Sequence, residues 1–259
     1  MFSFTREDTT GLAKWWRNID KQILFSIIFL FLLGLFFSFS STSQLVGEKL
    51  NKETYFLFIK HFIFAIVAII LLFVISFQSE KKIEKFLLPF FLISFLFLFL
   101  VPFFGVEIKG SKRWLNLFFL PQFQPVEIVK PLFILLVAKI IVSDNNVNGY
   151  LKYLLSLTIL TLIVFLLVSQ PDIGQTLLII SSWIVMIFVS GINIFVLVLT
   201  GVLSVVILGL VIYFFPIKFG YIPSRILSFL DPSKGDNFQS QKALDAIKQG
   251  GLSGRGMGE

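Results

Sequence analysis

From Ile173 to Ile217 the chain runs for 45 positions without one charged residue. A buried helix or strand of a soluble core is never that long. Two crossings of a bilayer are, because each needs roughly 20 apolar residues to span about 30 Å of hydrocarbon. Ser190-Gly191-Ile192-Asn193 interrupts the run near its middle, so it reads as two spans. Shorter charge-free runs cover Gln22–Gly47, Phe86–Val106 and Tyr153–Pro171. Backbone polar groups in lipid must pair within their own segment, so these runs are helices rather than open strands. The pattern predicts seven helices, over 22–39, 55–77, 86–104, 125–142, 153–169, 173–190 and 194–215. A tail over 1–21 precedes them, and a long segment over 216–259 follows.

The fold class is therefore an all-α polytopic membrane protein. Composition agrees: 14% of the 259 residues are charged, against about 25% in a soluble domain, and mean hydropathy is +0.91. This excludes a soluble globular enzyme, a disordered chain and a disulfide-stapled secreted domain. With no cysteine there is no thiolate site, and with His61 as the single histidine there is no multi-histidine metal site. Ser38 to Ser43 has the small, polar look of a signal-peptide end. The spans that follow make an uncleaved first helix the better reading. No short repeat is present.

The net charge is +7. In a membrane protein that suggests lipid headgroups or an anionic lipid-linked ligand rather than nucleic acid. Eight basic residues lie on one set of loops: Arg6, Lys14, Arg17, Lys21, Lys81, Lys82, Lys85 and Lys152. Five lie on the other: Lys49, Lys52, Lys109, Lys112 and Arg113. Because positive loops stay inside, the N-terminus is expected in the cytoplasm and the segment after Pro216 outside. That segment carries six more basic residues against the rule, which long loops obey poorly.

With this orientation the unusual polar residues gather at the outer level. Lys112-Arg113-Trp114 sets two cations beside an indole. An aromatic belt with snorkelling lysine explains it, and so does a headgroup site. Glu127 and Lys130 stand at i, i+3 on one face of a span, where ionisable groups are costly and usually paired or functional. Pro131 frees the carbonyl of Glu127, four residues back. Asp172 and Gln175 have the spacing of a capping box for the sixth helix, and Asp172 reads equally as a ligand-site residue. Gly174 would admit a close backbone. Lys60 reads as snorkelling and His61 as a hydrogen-bonded helix residue. In the last segment, Asp231-Pro232-Ser233-Lys234-Gly235-Asp236 is a turn signal. Phe238 to Gln249 forms a short amphipathic helix with Phe238, Ala243, Leu244 and Ile247 on one side. The glycine-rich end from Gly250 to Glu259 is either a linker or an anion-wrapping nest, and it lacks the ending of a Walker loop.

These segments resemble the shape, elongation, division and sporulation family, to which FtsW, RodA and SpoVE belong. The matching residues are Gly110-Ser111-Lys112-Arg113-Trp114, Phe123-Gln124-Pro125-x-Glu127-x-x-Lys130, Gln170-Pro171-Asp172-x-Gly174-Gln175-Thr176, Phe229-Leu230-Asp231-Pro232, Phe238-Gln239, and the run from Ala243 to Glu259. Gln175 and the Gly258-Glu259 ending look more like the FtsW branch. Val126 departs from the serine usual at that place.

The resemblance implies a peptidoglycan glycosyltransferase of the bacterial inner membrane. It would polymerise lipid II, release undecaprenyl pyrophosphate and work in cell division with a class B penicillin-binding protein and other divisome membrane proteins. It implies about ten spans, of which seven and part of a large external loop are expected here. The catalytic aspartate is expected beyond Glu259, so no residue here inherits that role. Supporting or substrate-binding candidates are Lys112, Arg113, Trp114, Gln124, Glu127, Lys130, Gln170, Asp172, Arg225 and Gln239. Lys130, Lys112 and Arg113 would steady the diphosphate charge, and Glu127 would position Lys130 or the aspartate expected beyond Glu259. A carboxylate would take the proton of the attacking hydroxyl, favouring one-step inversion. No cofactor is evident, and a divalent cation is left open. The rival classes are a lipid II flippase and a noncatalytic division scaffold. A flippase would carry its polar site near the midplane.

Overall fold

The computed structural model describes residues 10–41, 55–108, 111–116, 122–143, 148–214, 216–230, 238–251 and 254. The chain divides into two compact units, Met1–Glu80 with Phe238–Glu259, and Lys81–Asn237. The turn signal at 231–236 and most of the glycine-rich end lie outside the described residues.

The first unit holds α1 (Gly11–Asn18), α2 (Lys21–Ser41), α3 (Phe56–Ser76) and, late in the chain, α11 (Phe238–Gly250). The last is the amphipathic helix expected there. Helices α2 and α3 are apolar on every side and bury little; Leu24 and Ala65 are their buried residues. A helix hydrophobic all round with its faces open to solvent suits lipid, not water. Gly34 of α2 lies opposite His61 of α3, where a methyl group would sit 3.7 Å from the imidazole Cε1.

The second unit holds α4 (Glu80–Phe104), whose first residue closes the first unit, the strands β1 (Val106–Ile108) and β2 (Ser111–Trp114), α5 (Pro125–Val142), α6 (Gly149–Ser169), α7 (Ile173–Val189) and α8 (Ile194–Phe214). Two short helices follow, α9 (Pro216–Phe219) and α10 (Tyr221–Leu230). Each of the seven predicted spans is a helix here. Among the described residues, α2, α3, α4 and α6 are long and apolar enough to cross a bilayer by length and composition.

Four stripes at helical spacing build the core. They are Leu87, Phe91, Leu98 and Val101 of α4; Val126, Val129, Phe133 and Val137 of α5; Leu160, Ile163 and Leu167 of α6; and Ile179, Trp183 and Ile187 of α7. Lipid is as apolar as leucine, so close packing and interhelical hydrogen bonds hold such helices together rather than hydrophobic transfer. Small polar residues supply the bonds. Trp183 Nε1 donates to Ser156 Oγ at 3.1 Å, and Ser156 Oγ donates to the Tyr153 carbonyl at 2.8 Å. At the far end of α5, Lys139 donates to the Glu84 carbonyl at 3.0 Å, and Lys152 caps the carbonyls of Ile141 and Ser143.

Three helices and one hairpin are additions to the sequence reading. Helix α1 falls inside the expected tail, and α9 and α10 inside the segment after Pro216. The antiparallel hairpin β1–β2 falls inside the loop after α4. Gly105 joins α4 to that hairpin, and it must be glycine: a Cβ there would meet the Val101 carbonyl oxygen at 2.4 Å and Lys112 Cβ at 3.2 Å. A further pair, Leu115 with Phe123, brings the chain back to the start of α5 through backbone hydrogen bonds of 3.0 and 3.1 Å.

Candidate functional site

The polar motifs meet at one end of the second unit, where α4 gives way to the hairpin, α5 begins, and α6 turns into α7. Local sequence sets each piece. Pro125 sits at the first position of α5, where its missing N–H costs nothing. Gln170-Pro171-Asp172 forms the tight turn, with Gln170 and Asp172 both donating their backbone N–H to the Leu167 carbonyl at 3.1 Å.

Two rungs cross between the first turns of α5 and α7. Gln124 Nε2 donates to Asp172 Oδ2 at 2.9 Å. One turn on, Gln175 Nε2 donates to Glu127 Oε1 at 2.8 Å. Positions 124 and 127 on one helix thus face 172 and 175 on the other, both at i, i+3 spacing. Lys130 closes the second rung into a ring: its ammonium lies 2.7 Å from Glu127 Oε2 and donates to Gln175 Oε1 at 2.7 Å. The Lys130 side chain is 17% exposed and that of Glu127 51%, so the cation is the enclosed partner and the carboxylate the wet one.

Arg113 reaches the same turn from β2. Opposite β1, Trp114 pairs with Val106 and Lys112 with Glu107, so Arg113 is the extra residue of a β-bulge. Such bulges re-aim a side chain. Arg113 turns inward, donating Nε to the Gln170 carbonyl at 3.4 Å and Nη2 to the Pro171 carbonyl. Its Nη1 lies 3.8 Å from Asp172 Oδ1. These carbonyls end α6, the negative pole of its dipole, while Asp172 begins α7 at the positive pole, so both charges sit where the helices favour them. Lys112 and Trp114, one residue to either side, are on the exposed face of the strand. The cation pair expected from Lys112-Arg113 is therefore divided by strand alternation.

The capping box does not form. Asp172 stands at the N-cap of α7, but its side chain makes no cap hydrogen bond. Its carboxylate is held by Gln124 and Arg113, and Gln175 is drawn across to α5. Among the described residues nothing lies within 4 Å of where a Cβ on Gly174 would be, so none of their backbone approaches it.

Gln170 has a role that its sequence position conceals. Pro102 lacks the N–H that would pair with the Leu98 carbonyl one turn back in α4. Gln170 Nε2 donates to that carbonyl at 3.3 Å, and Gln170 is buried. Gln170→Leu should then cost about 1–3 kcal/mol by orphaning a buried acceptor. In a Pro102→Ala background, which restores the helical donor, the same change should cost less than about 1 kcal/mol. Unfolding in detergent of the four proteins of this cycle checks the coupling.

Arg225 falls on α10 and Gln239 on α11, and their side chains lie outside the described residues. Among the described residues, no three His, Asp or Glu side chains converge as metal ligands.

The probable peptidoglycan glycosyltransferase FtsW of Caulobacter vibrioides is 31% identical over 99% of this chain and 65% of that protein. The protein of the same description from Haemophilus ducreyi is 30% identical over 92% of this chain and 60% of its own length. The chain thus spans less than two thirds of these curated relatives. A solved chain from a study of polymerization and crosslinking by a peptidoglycan synthase complex superposes with a TM-score of 0.66 at 26% identity, covering 89% of this chain and 67% of that one. A variant of the rod shape determining protein RodA from Thermus thermophilus gives 0.58 at 26% identity, over 74% of this chain and 60% of that one. The family model of the FtsW, RodA and SpoVE cell cycle proteins matches residues 21–259, and the chain belongs to that family of polytopic membrane proteins.

Proposed function

We propose that this chain serves a peptidoglycan glycosyltransferase that polymerises lipid II during cell division, releasing undecaprenyl pyrophosphate, beside a class B penicillin-binding protein. The observation that carries the reading is the Glu127–Lys130–Gln175 ring at the end of the α5 span, one turn from the Gln124–Asp172–Arg113 network. A lipid-linked diphosphate places its anionic group at the membrane surface and its tail in the bilayer. An enclosed lysine at a helix end suits the first, and the exposed apolar residues Ile128 and Leu135 of the same helix suit the second. Lys130 stabilises the charge that develops on the leaving diphosphate. Glu127 and Gln175 hold its ammonium in place. Arg113 is spent on backbone carbonyls and Asp172, so it positions the α6–α7 turn. Lys112, exposed on the neighbouring face, is the cation open to the headgroup. The polar groups lie at span ends rather than at the midplane, which favours surface chemistry over translocation.

The reading needs this end of the second unit outside and the N-terminus in the cytoplasm. Ser3→Cys and Ser233→Cys, each introduced singly into the cysteine-free chain, report the sides. An impermeant thiol reagent on intact spheroplasts should label the second and spare the first. The reverse pattern would overturn the orientation. Polymerisation is tested directly with a full-length version of the protein, its penicillin-binding partner and lipid II, with lipid translocation measured in parallel in liposomes. Translocation without polymer would replace this reading by the transport one.

A further inference from the structure

Helix α1 is eight residues long and two-sided. At 100° per residue, Trp15, Leu12, Trp16 and Ala13 fall on one arc, and Arg17, Lys14, Asn18 and Gly11 fall on the other. Thr10 Oγ1 caps it by accepting from the Ala13 N–H at 3.3 Å. Its two tryptophans hold it against the ends of its neighbours. Trp15 stacks on Phe77 with ring centroids 4.8 Å apart and donates Nε1 to Ser76 Oγ at 2.9 Å, at the last turn of α3. Lys21, the first residue of α2, sets its ammonium 5.5 Å from the Trp16 ring.

The corner between α1 and α2 is short. Ile19 donates its backbone N–H to the Trp15 carbonyl at 3.1 Å. Asp20 then caps α2, its Oδ1 accepting from Gln22 at 2.8 Å and Ile23 at 3.1 Å. A span that starts at Lys21 puts this corner at the edge of the hydrocarbon. Leu12, 59% exposed, and Trp16 share a face at i, i+4 at that level. From Thr10 to Ile19 the charged residues are Lys14 and Arg17, and Asp20 is occupied as the cap. The membrane that α2 enters is continuous with this face, and the helix's charge complements anionic lipid.

We propose that α1 lies flat in the membrane interface, with Leu12 and Trp16 among the acyl chains and Lys14 and Arg17 on anionic lipid headgroups. Aromatic and basic residues on opposite arcs are what an interfacial helix uses. Each basic side chain near an anionic surface favours association. The inference does not depend on the proposed enzymatic activity.

The test uses the full chain reconstituted in vesicles of phosphatidylcholine and phosphatidylglycerol. Leu12→Cys and Asn18→Cys, in separate proteins, take a single environment-sensitive fluorophore. The label at 12 should be quenched by lipids brominated on the acyl chain and shielded from aqueous iodide, and the label at 18 should show the opposite. Quenching at 12 should be about fivefold stronger when the brominated lipid is phosphatidylglycerol than when it is phosphatidylcholine. Lys14→Gln with Arg17→Gln should remove that preference. Iodide access at both positions would overturn the interfacial placement. Equal quenching by the two lipids in the native background would overturn the anionic-headgroup assignment.

Discussion

Lys130→Ala is expected to lower lipid II polymerisation by on the order of 100-fold or more, the scale of losing one preorganised charge-stabilising group. The protein should still insert and fold. Glu127 keeps its hydrogen bond from Gln175 at 2.8 Å and is half exposed, so water replaces the lost ammonium at little cost. Lys130→Arg keeps the charge but changes its shape, and its planar fork does not fit a ring built on 2.7 Å contacts to one nitrogen. It should recover only part of the rate. Polymer length and rate on gels, in a polymerisation-competent preparation with the partner present, measure both variants. A native rate from Lys130→Ala would remove this residue from the mechanism and send the search to Lys112.

Arg113→Ala should act mainly on the fold. It leaves Asp172, whose side chain is 7% exposed, with Gln124 as its remaining side-chain donor. It also leaves the Gln170 and Pro171 carbonyls without theirs. Orphaning buried charged and polar groups costs about 1–3 kcal/mol. Thermal unfolding in detergent should show the loss, and Asp172→Asn in the same chain should return part of it by removing the unpaired charge. If Arg113→Ala is as stable as the native protein yet inactive, Arg113 touches substrate and the positioning role is wrong.

Much of the architecture was legible in the sequence because the bilayer is a simple solvent. A charge-free run either spans or it does not, and five of the seven helices lie on such runs, while α3 carries Lys60 and α5 carries Glu127, Lys130 and Lys139. The expected Phe86 start of α4 moved back to Glu80 because Lys81, Lys82 and Lys85 extend the helix into the interface, where charge carries no penalty. The hairpin was not legible. Its strands are three and four residues long, too short for alternation to stand out. The capping box was legible and did not form: Asp172 and Gln175 have the right local spacing, but Gln124 and Arg113 took the first side chain, and Glu127 and Lys130 of α5 took the second.

The sequence by itself determined the helices, the family and the set of polar residues that interrupt the apolar runs, since each follows from local hydrophobicity or from a contiguous motif. Apart from the Glu127–Lys130 pair, which its i, i+3 spacing anticipates, tertiary structure decided who pairs with whom. Gln124 with Asp172 and Glu127 with Gln175 are each 48 positions apart. Arg113 reaches Asp172 across a bulged strand, and Gln170 answers a carbonyl that Pro102 freed in α4. No local rule selects these partners. Each group in the low-dielectric interior must find a partner or lose the fold, and packing of the α4–α7 stripes determines which partner lies within reach.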